Sequence, residues 1–271
     1  MDFKTFKVKP GSKVNLKDVD TSGESHFQNN KESGLQELAK YREDLDRLQE
    51  VLYAEHKQRL LIVLQAMDTA GKDGVISAVF DGINPQGVHV ANFKAPTGPE
   101  LDHDYLWRIH LHTPAKGEIV VFNRSHYEDV LVVRVHNLVP EQRWRKRYGH
   151  INEFERLLND EGTTILKFFL HIDSETQKQR LLDRIDTPDK NWKFNPDDIE
   201  ERKLWPSYMT AYEDALNETS TDWAPWYIVP SDHNWVRNLV VAGVVAETLK
   251  DMNLQYPRPV ENITQYRAQL K

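Results

Sequence analysis

Residues 60–74 have the sequence LLIVLQAMDTAGKDG, and this stretch decides the fold. Its first five residues are a continuous apolar run of strand length, as expected for a parallel strand that is covered on both faces. The polar half that follows contains Gly71 and Lys72 and leads into a segment with helical spacing. A buried strand, a glycine-containing turn and a helix in this order are typical of the Walker A phosphate-binding loop.

The Walker A interpretation depends on a few positions. In that motif, backbone N–H groups at the start of a helix surround phosphate oxygens, while a lysine neutralises their charge. Ala66 stands where the motif has its first glycine, and Asp73 replaces the serine or threonine that contacts Mg²⁺. An ordinary strand-to-helix turn with a surface lysine is the alternative. The residues predicted to bind phosphate are Ala70, Gly71, Lys72, Asp73 and Gly74.

Asp68 adds a carboxylate to this predicted phosphate site. A carboxylate there repels the phosphate unless a cation lies between them, so Asp68 and Asp73 are predicted to bind Mg²⁺, with Mn²⁺ as an alternative metal. If no phosphate binds, Asp68 could instead cap the following helix, and Asp73 could interact with the positive end of that helix.

Strands and helices alternate along the rest of the chain. Apolar runs predict strands at 60–64, 88–93, 119–122, 164–170 and 226–229. Helices are predicted at 35–56, from the loop to about 83, at 101–112 and through 239–249. Helical segments are also predicted after the third strand up to residue 158, with Pro140 in a first turn. Another helix is predicted to begin at Ser174, which forms a capping box with Gln177. This alternation predicts the α/β class, as a doubly wound parallel sheet of five strands with its ligand site at their carboxyl ends.

Composition limits the classes of protein that remain. The 271 residues, of which 39% are hydrophobic, fit one domain spanning 1–271, with residues 1–32 as an irregular N-terminal arm. The absence of cysteine excludes disulfides, thiolate metal sites and a cysteine nucleophile. The formal charge of −7 argues against a nucleic-acid partner. Neither a membrane span nor a secretion signal is visible, so we expect a cytoplasmic protein.

A second motif, NRSHYED, follows the third predicted strand and begins at Asn123. Many P-loop enzymes have an aspartate at this position, where it completes the metal site. The amide of Asn123 carries no charge and binds Mg²⁺ more weakly, so Glu128 and Asp129 are candidates for the acidic role here. Arg124 could stabilise charge on a transferred phosphoryl group. A solvated helix start is the alternative for the two acidic residues, and His126 is predicted to be a packed polar residue.

Basic residues recur after the fourth predicted strand. Arg180 and Arg184 are four apart and therefore share one face of a helix, and Lys190 and Lys193 follow. This pattern predicts a helical lid at about 180–200 that closes over phosphates and excludes water. A salt-bridged surface helix is the alternative.

Five segments of the chain together resemble the polyphosphate kinase 2 family. They are LQAMDTAGKDG, FNRSHYEDVLVVRV, FERLLNDEGTTILKFFLHI, RLLDRIDTPDKNWKF and APWYIVP, in consistent order between residues 60 and 230. The resemblance implies a P-loop kinase fold with three α/β/α layers, like that of thymidylate kinase. It also implies reversible, Mg²⁺-dependent phosphoryl transfer between inorganic polyphosphate and the nucleotides AMP, ADP and ATP, by a homodimer or homotetramer.

The sequence of the second motif is similar to that found in the class III branch of that family, which phosphorylates AMP as well as ADP. In the branch that mainly interconverts ADP and ATP, an aspartate stands at the Asn123 position. The resemblance implies that Glu128 helps to hold or activate the acceptor phosphate. The implied catalytic residues are Asp68, Lys72, Arg124, Glu128 and Arg184. The implied phosphate- or nucleotide-binding residues beyond the loop are Asn123, Asp129, Arg134, Arg180, Lys190 and Lys193.

Two other functions remain open at the level of sequence. An ATP-dependent nucleotide or metabolite kinase of the same fold shares the loop and differs only in its phosphoryl donor. A non-catalytic nucleotide-binding protein would keep the loop for binding alone. Asn123 and the imperfect loop favour that second option slightly, whereas Asp68, Lys72 and Arg124 argue against it.

Overall fold

A single parallel sheet forms the centre of the protein, whose computed structural model describes residues 2–28 and 30–270. The strands are β1 (Arg59–Ala66), β2 (Val88–Asn92), β3 (Ile119–Asn123), β4 (Thr163–His171) and β5 (Trp226–Pro230). Their order is β2-β3-β1-β4-β5, and every neighbouring pair is parallel. The predicted five-stranded parallel sheet is therefore confirmed.

Helices connect the strands and cover both faces of the sheet. They are α1 (Lys31–Glu55), α2 (Lys72–Val79), α3 (Gly98–Leu101), α4 (Trp107–His110), α5 (Val132–Val135), α6 (Glu141–Asp160), α7 (Ser174–Asp186), α8 (Asp197–Lys203), α9 (Trp205–Thr219) and α10 (Asn234–Asp251). Alternate residues of a strand point to opposite faces. In β1, Leu60 and Ile62 pack with α1, α2 and α10, whereas Leu61 and Val63 pack with α6 and α9. Two hydrophobic layers thus enclose the sheet, which confirms the α/β/α architecture.

The N-terminal arm contains short 3-10 helices at Phe3–Phe6, Leu16–Asp18 and Glu24–Phe27, and it packs on the sheet. A short bridge joins Lys7 to Tyr227 of β5, and the Val8 N–H donates to the Trp226 carbonyl at 2.8 Å. Five apolar residues of the arm are buried: Phe3, Phe6, Val8, Leu16 and Phe27. The arm therefore contributes to the core.

Some of the predicted helix limits were wrong. The helix expected at 101–112 is two short helices, because Asp104 accepts the Leu106 N–H at 2.9 Å and starts a separate turn. Helix α7 is capped by Asp173, which accepts the Thr176 N–H at 2.5 Å, so Ser174 is the first helical residue and forms no capping box. Pro140 is the N-cap of α6 and does not lie in its first turn.

Two helices, α8 and α9, were not predicted from the sequence. Helix α9 buries one face at helical spacing, through Tyr208, Ala211, Tyr212 and Ala215. Small alanines make this apolar face weak in sequence, although Pro206 in the first turn is a helix-start signal. Helix α9 matters because its Tyr212 lies near Arg124, Asp68 and Glu128, at the carboxyl ends of the strands.

Candidate active site

The loop between β1 and α2 has an unusual backbone. Thr69 has a φ of +65° and Gly71 a φ of +102°. Gly71 is needed for space as well, since a Cβ there would lie 1.9 Å from Nη1 of Arg237. The loop therefore turns sharply into α2, whose first N–H groups have no partner within the helix and are available to an anion.

Lys72 is the first residue of α2, and its side chain folds back across the loop. Its Nζ donates to the Ala66 carbonyl at 3.1 Å, so it joins the two ends of the loop. Burial and Arg124 lower its pKa and the nearby carboxylates, chiefly Asp68 and Glu128, raise it, with a net value of about 8. The lysine remains a cation at neutral pH, in a position where it can neutralise phosphate oxygens.

Arg124 reaches the same place from the neighbouring strand. The register of β1 and β3 pairs Leu64 with Asn123, and the Arg124 N–H donates to the Leu64 carbonyl at 3.1 Å. Its φ of +63° is rarely adopted by a residue with a side chain, and such backbone strain concentrates at functional sites. The guanidinium donates to Asp68 Oδ1 at 2.7 Å and lies 3.7 Å from Glu128 Oε1. Burial lowers the pKa of Arg124, but the two carboxylates together hold it above its ordinary value.

Glu128 is held by a buried amide. Gln65, which is fully buried in β1, has an amide orientation that donates to Glu128 Oε1 at 3.0 Å and accepts the Ser125 N–H at 3.1 Å. Burial raises the pKa of Glu128, whereas Arg124 and Lys72 lower it. The carboxylate is thus oriented beside two cations.

Asn123 links the ends of three neighbouring elements. Its Nδ2 donates to Asp73 Oδ1 at 2.8 Å, in the first turn of α2, and to Asn92 Oδ1 at 2.9 Å, at the end of β2. These contacts hold the Asp73 carboxylate at the ends of β2 and β3.

The acidic residues fit a divalent metal that is shared with substrate. Asp68 and Asp73 each use Oδ1 in the contacts above, and within the described chain their Oδ2 atoms have no hydrogen-bond partner. The described part of the chain contains no group of three or more His, Cys, Asp or Glu side chains that could hold a metal without substrate. Mg²⁺ is commonly bound by one or two carboxylates together with substrate phosphates and water. Two carboxylates beside a phosphate loop therefore suit it.

Of the predicted lid residues in the described chain, Arg180 forms a hydrogen bond with the phosphate loop, whereas Arg184, Lys190 and Lys193 do not. Arg180 binds backbone: it donates to the carbonyls of Thr69 at 3.0 Å, Ser231 at 2.6 Å and Asp232 at 2.8 Å. It therefore connects α7, the loop and the end of β5.

The other lid cations lie further along the chain. Arg184 pairs with Asp198 of α8 at 3.0 Å and donates to the Lys193 carbonyl at 3.1 Å, which ties α7 to the segment that follows it. The side chains of Lys190 and Lys193 are exposed. These two lysines are accessible to a polyanion.

Arg134 and Asp129 make their contacts away from the loop. Arg134 donates to Asp214 of α9 at 2.7 Å and lies over the ring of Trp144 at 4.5 Å. Asp129 accepts from Arg147 at 2.8 Å, and burial raises its pKa to about 6 although Arg147 lowers it. Both predicted ligands are thus engaged by side chains of α6 or α9.

Some residues at the site were not predicted. Gln65 orients Glu128, Gln177 donates to the Asp68 carbonyl at 3.2 Å, and Arg237 donates to the Ala70 carbonyl at 3.2 Å. A polar residue inside an apolar stretch was the available signal at Gln65 and Arg237. His126 is fully buried 3.2 Å from Glu155, which agrees with its prediction as a packed polar residue.

A phosphate loop at the carboxyl end of a central parallel strand, with a lysine, an arginine and two carboxylates around it, defines a P-loop phosphotransferase. A sequence model of the family described as polyphosphate kinase 2 (PPK2) matches residues 28–257. The chain belongs to the polyphosphate kinase 2 family. Among the described residues, no helix combines the length and the apolar character needed to cross a membrane.

Similar proteins cover nearly the whole chain. A protein of Meiothermus ruber named AMP/ADP-polyphosphate phosphotransferase is 56% identical over 95% of this chain and 96% of its own length. An ADP-polyphosphate phosphotransferase of Rhodopseudomonas palustris is 44% identical over 98% of both chains. The crystal structure of polyphosphate kinase 2 from Arthrobacter aurescens TC1 has a TM-score of 0.94 at 41% identity, and the match covers 97% of this chain and 94% of that one.

Proposed function

We propose that this chain transfers phosphoryl groups from inorganic polyphosphate to AMP and ADP, and runs the reaction in reverse with ATP. The observation that carries the proposal is the convergence of Lys72, Arg124, Asp68 and Glu128 on one phosphate loop. The names of the relatives from M. ruber and R. palustris support polyphosphate as donor and AMP or ADP as acceptor.

The reaction is a displacement at phosphorus. A terminal phosphate oxygen of the nucleotide attacks the last phosphorus of the polyphosphate chain, a new P–O bond forms, and the bond to the next bridging oxygen breaks. The chain leaves one phosphate shorter. The attacking oxygen is already ionised, so positioning and charge neutralisation matter more than proton transfer.

Lys72 and Arg124 supply positive charge from two sides of the loop. Lys72 would contact the transferred phosphoryl group and its leaving oxygen. Arg124 would exchange part of its contact with Asp68 for phosphate oxygens as the two polyanions approach each other. Phosphotransferases of this family work with a divalent metal; Asp68 and Asp73 are the residues that would hold Mg²⁺, or Mn²⁺ in its place, and the metal would neutralise phosphate charge.

Acceptor binding is assigned to the second motif and its surroundings. Glu128 would orient the acceptor phosphate, because Gln65 fixes its carboxylate beside Arg124. We extend the acceptor site to Asn123, Asp129 and Arg134, and propose AMP as well as ADP as acceptors. Use of AMP rests on the name of the M. ruber relative.

The segment at about 180–200 is proposed as the lid. Lys190 and Lys193 are exposed cations on it, and Arg184 joins it to α7. Closure over the polyphosphate would remove water that otherwise hydrolyses the donor. We further propose a cytoplasmic homodimer or homotetramer that binds no nucleic acid.

One assay tests the proposal against its rivals. Purified protein is incubated with Mg²⁺ and AMP or ADP, with and without polyphosphate, and the nucleotides are separated and quantified. ATP that forms only with polyphosphate supports the proposal. Phosphorylation of another acceptor by ATP alone would instead indicate a conventional kinase, and nucleotide binding without turnover would indicate a binding protein.

A matched pair of lysine variants tests the site itself. Lys72→Ala should reduce transfer by about a thousandfold with the fold retained, because the phosphate charge loses its neutralising cation. Lys178→Ala removes an exposed lysine of α7 that pairs with Glu175, and should have no effect. Near-normal turnover of Lys72→Ala would refute the proposed role of the loop.

A further inference from the structure

Arg237 lies in α10, behind the phosphate loop, and only 3% of its surface is exposed. Its neighbours on the helix include Val236, Val240 and Val241, which are all fully buried. Arginine keeps its charge inside a protein, so a buried arginine needs a compensating partner.

The contacts of this guanidinium are all with neutral oxygens. Nη1 donates to the Ala70 carbonyl at 3.2 Å and to Asn234 Oδ1 at 2.9 Å, and Nε and Nη2 donate to Asn238 Oδ1 at 3.1 and 3.0 Å. Among the residues that the structure describes, Arg237 forms no ion pair with a carboxylate. Burial and, to a lesser extent, the nearby Arg180 together lower its pKa to about 10.

The guanidinium is packed directly against the loop. A Cβ at Gly71 would lie 1.9 Å from Nη1, and one at Gly74 would lie 2.9 Å from Nη2. Both glycines therefore leave the space that the arginine occupies. The C=O and N–H of a trans peptide point in opposite directions. Because Arg237 holds the Ala70 carbonyl, the Gly71 N–H is turned toward the opposite face of the loop.

We infer that Arg237 is a positioning residue of the phosphate loop, and that the phosphate group bound there is the counter-ion of its buried charge. A fixed cation one peptide layer behind the anion attracts it without contacting it. Arg180, which binds the Thr69 carbonyl, supports the loop from α7 in the same way. The inference rests on the proposed function, because it requires polyphosphate to bind at the loop.

Four variants separate charge from packing. Arg237→Met removes the charge and the donors, Arg237→Gln removes the charge but keeps a shorter side chain with an N–H donor, and Arg237→Lys keeps the charge. Arg59→Met is the matched control, since Arg59 also donates to a backbone carbonyl, that of Glu161, at the opposite end of β1.

The readouts are the KM for polyphosphate and kcat at saturating ADP, and the shift in melting temperature that polyphosphate causes without nucleotide. We expect Arg237→Met and Arg237→Gln to raise the KM roughly tenfold with little change in kcat, because a fixed charge acts equally on bound substrate and transition state. Their thermal shift should be smaller than that of the wild type. Arg237→Lys and Arg59→Met should stay within about threefold of the wild-type KM.

The outcomes distinguish this inference from the proposed function. If the wild type forms no ATP from polyphosphate, the proposed function fails. If it does, and Arg237→Gln keeps the wild-type KM and thermal shift, the inference is overturned. An equal rise in KM for Arg237→Lys and Arg237→Gln would also overturn it, since a packing role explains that result. If Arg237→Met does not fold, Arg237→Gln carries the test alone.

Discussion

Lys72 illustrates how the environment of a single side chain sets the chemistry of this site. The nearby carboxylates of Asp68, Glu128 and Asp73 favour its charged form, whereas burial and Arg124 oppose it. The result is a lysine that is charged at neutral pH but close to its titration range. A phosphate group nearby would favour the charged form again.

This environment makes the activity dependent on pH. Below a pH of about 8, Lys72 is protonated and can bind phosphate; above it, the lysine becomes neutral. We expect kcat/KM for polyphosphate to fall as the pH rises through about 8, because this ratio reports the free enzyme. A profile that stays flat to a pH of about 9.5 would contradict this assignment. Lys72→Arg should lack the decline in whatever activity it retains.

Asp68 is expected to set the metal requirement. Asp68→Asn keeps the size of the side chain but removes the carboxylate, so the Mg²⁺ concentration for half-maximal activity should rise about tenfold. Titration of Mg²⁺ after treatment with a chelator measures this. Asp81→Asn alters a carboxylate that pairs with Arg42 on the surface and should leave the requirement unchanged. An unchanged requirement in Asp68→Asn would exclude Asp68 as a ligand.

Beside the site, buried polar contacts join β4, α6, the second motif and α9, in addition to the hydrophobic contacts of the core. Lys167 of β4 is fully buried and donates to Glu155 of α6 at 2.5 Å, to the Tyr127 hydroxyl at 2.8 Å and to the Thr219 carbonyl at 2.7 Å. Tyr127 directly precedes Glu128 in sequence. The network therefore fixes the second motif against α6, β4 and the end of α9.

Breaking that network should cost stability. Glu155→Ala leaves Lys167 buried without its carboxylate partner, so we expect the free energy of unfolding to fall by about 3–5 kcal/mol. Urea denaturation followed by circular dichroism measures the change. Arg156→Ala, which removes the adjacent surface pair with Asp160, should change it by less than about 0.5 kcal/mol. Equal stability of the two variants would show that the buried pair has no net effect.

At the scale of the whole molecule, the N-terminal arm belongs to the core of the kinase fold. Phe3 is 2% exposed and packs against α10, where Gly243 leaves room for its ring. Helix α10 also carries Arg237 to the loop, so the arm contacts an element that supports the site. We propose that residues 1–271 fold as one domain.

The arm is testable through its buried phenylalanine. Phe3→Ala should lower the free energy of unfolding by about 3–5 kcal/mol, because it removes buried apolar surface and leaves a cavity. Lys4→Ala alters an exposed neighbour and should be close to neutral. Denaturation curves of the two variants provide the comparison. If Phe3→Ala were as stable as Lys4→Ala, the arm would not be part of the cooperative core.

The sequence by itself determined the class of fold and the phosphate loop. Five apolar runs gave the five strands, and the Gly71–Lys72 pair after a buried run located the loop, because these signals are local in the chain. The limits of short helices were predicted less well. They depend on single capping contacts such as that of Asp104, and α9 was missed because its apolar face uses small residues.

Only the tertiary structure decided which distant side chains support that loop. Arg180 and Arg237 reach the carbonyls of Thr69 and Ala70 across 111 and 167 residues of sequence. The order of the strands brings α7 beside the loop, and α10 packs on α2, β4 and β5. The same packing engages Arg134 and Asp129 with α9 and α6. Such contacts depend on how whole elements pack, and no local pattern of residues encodes them.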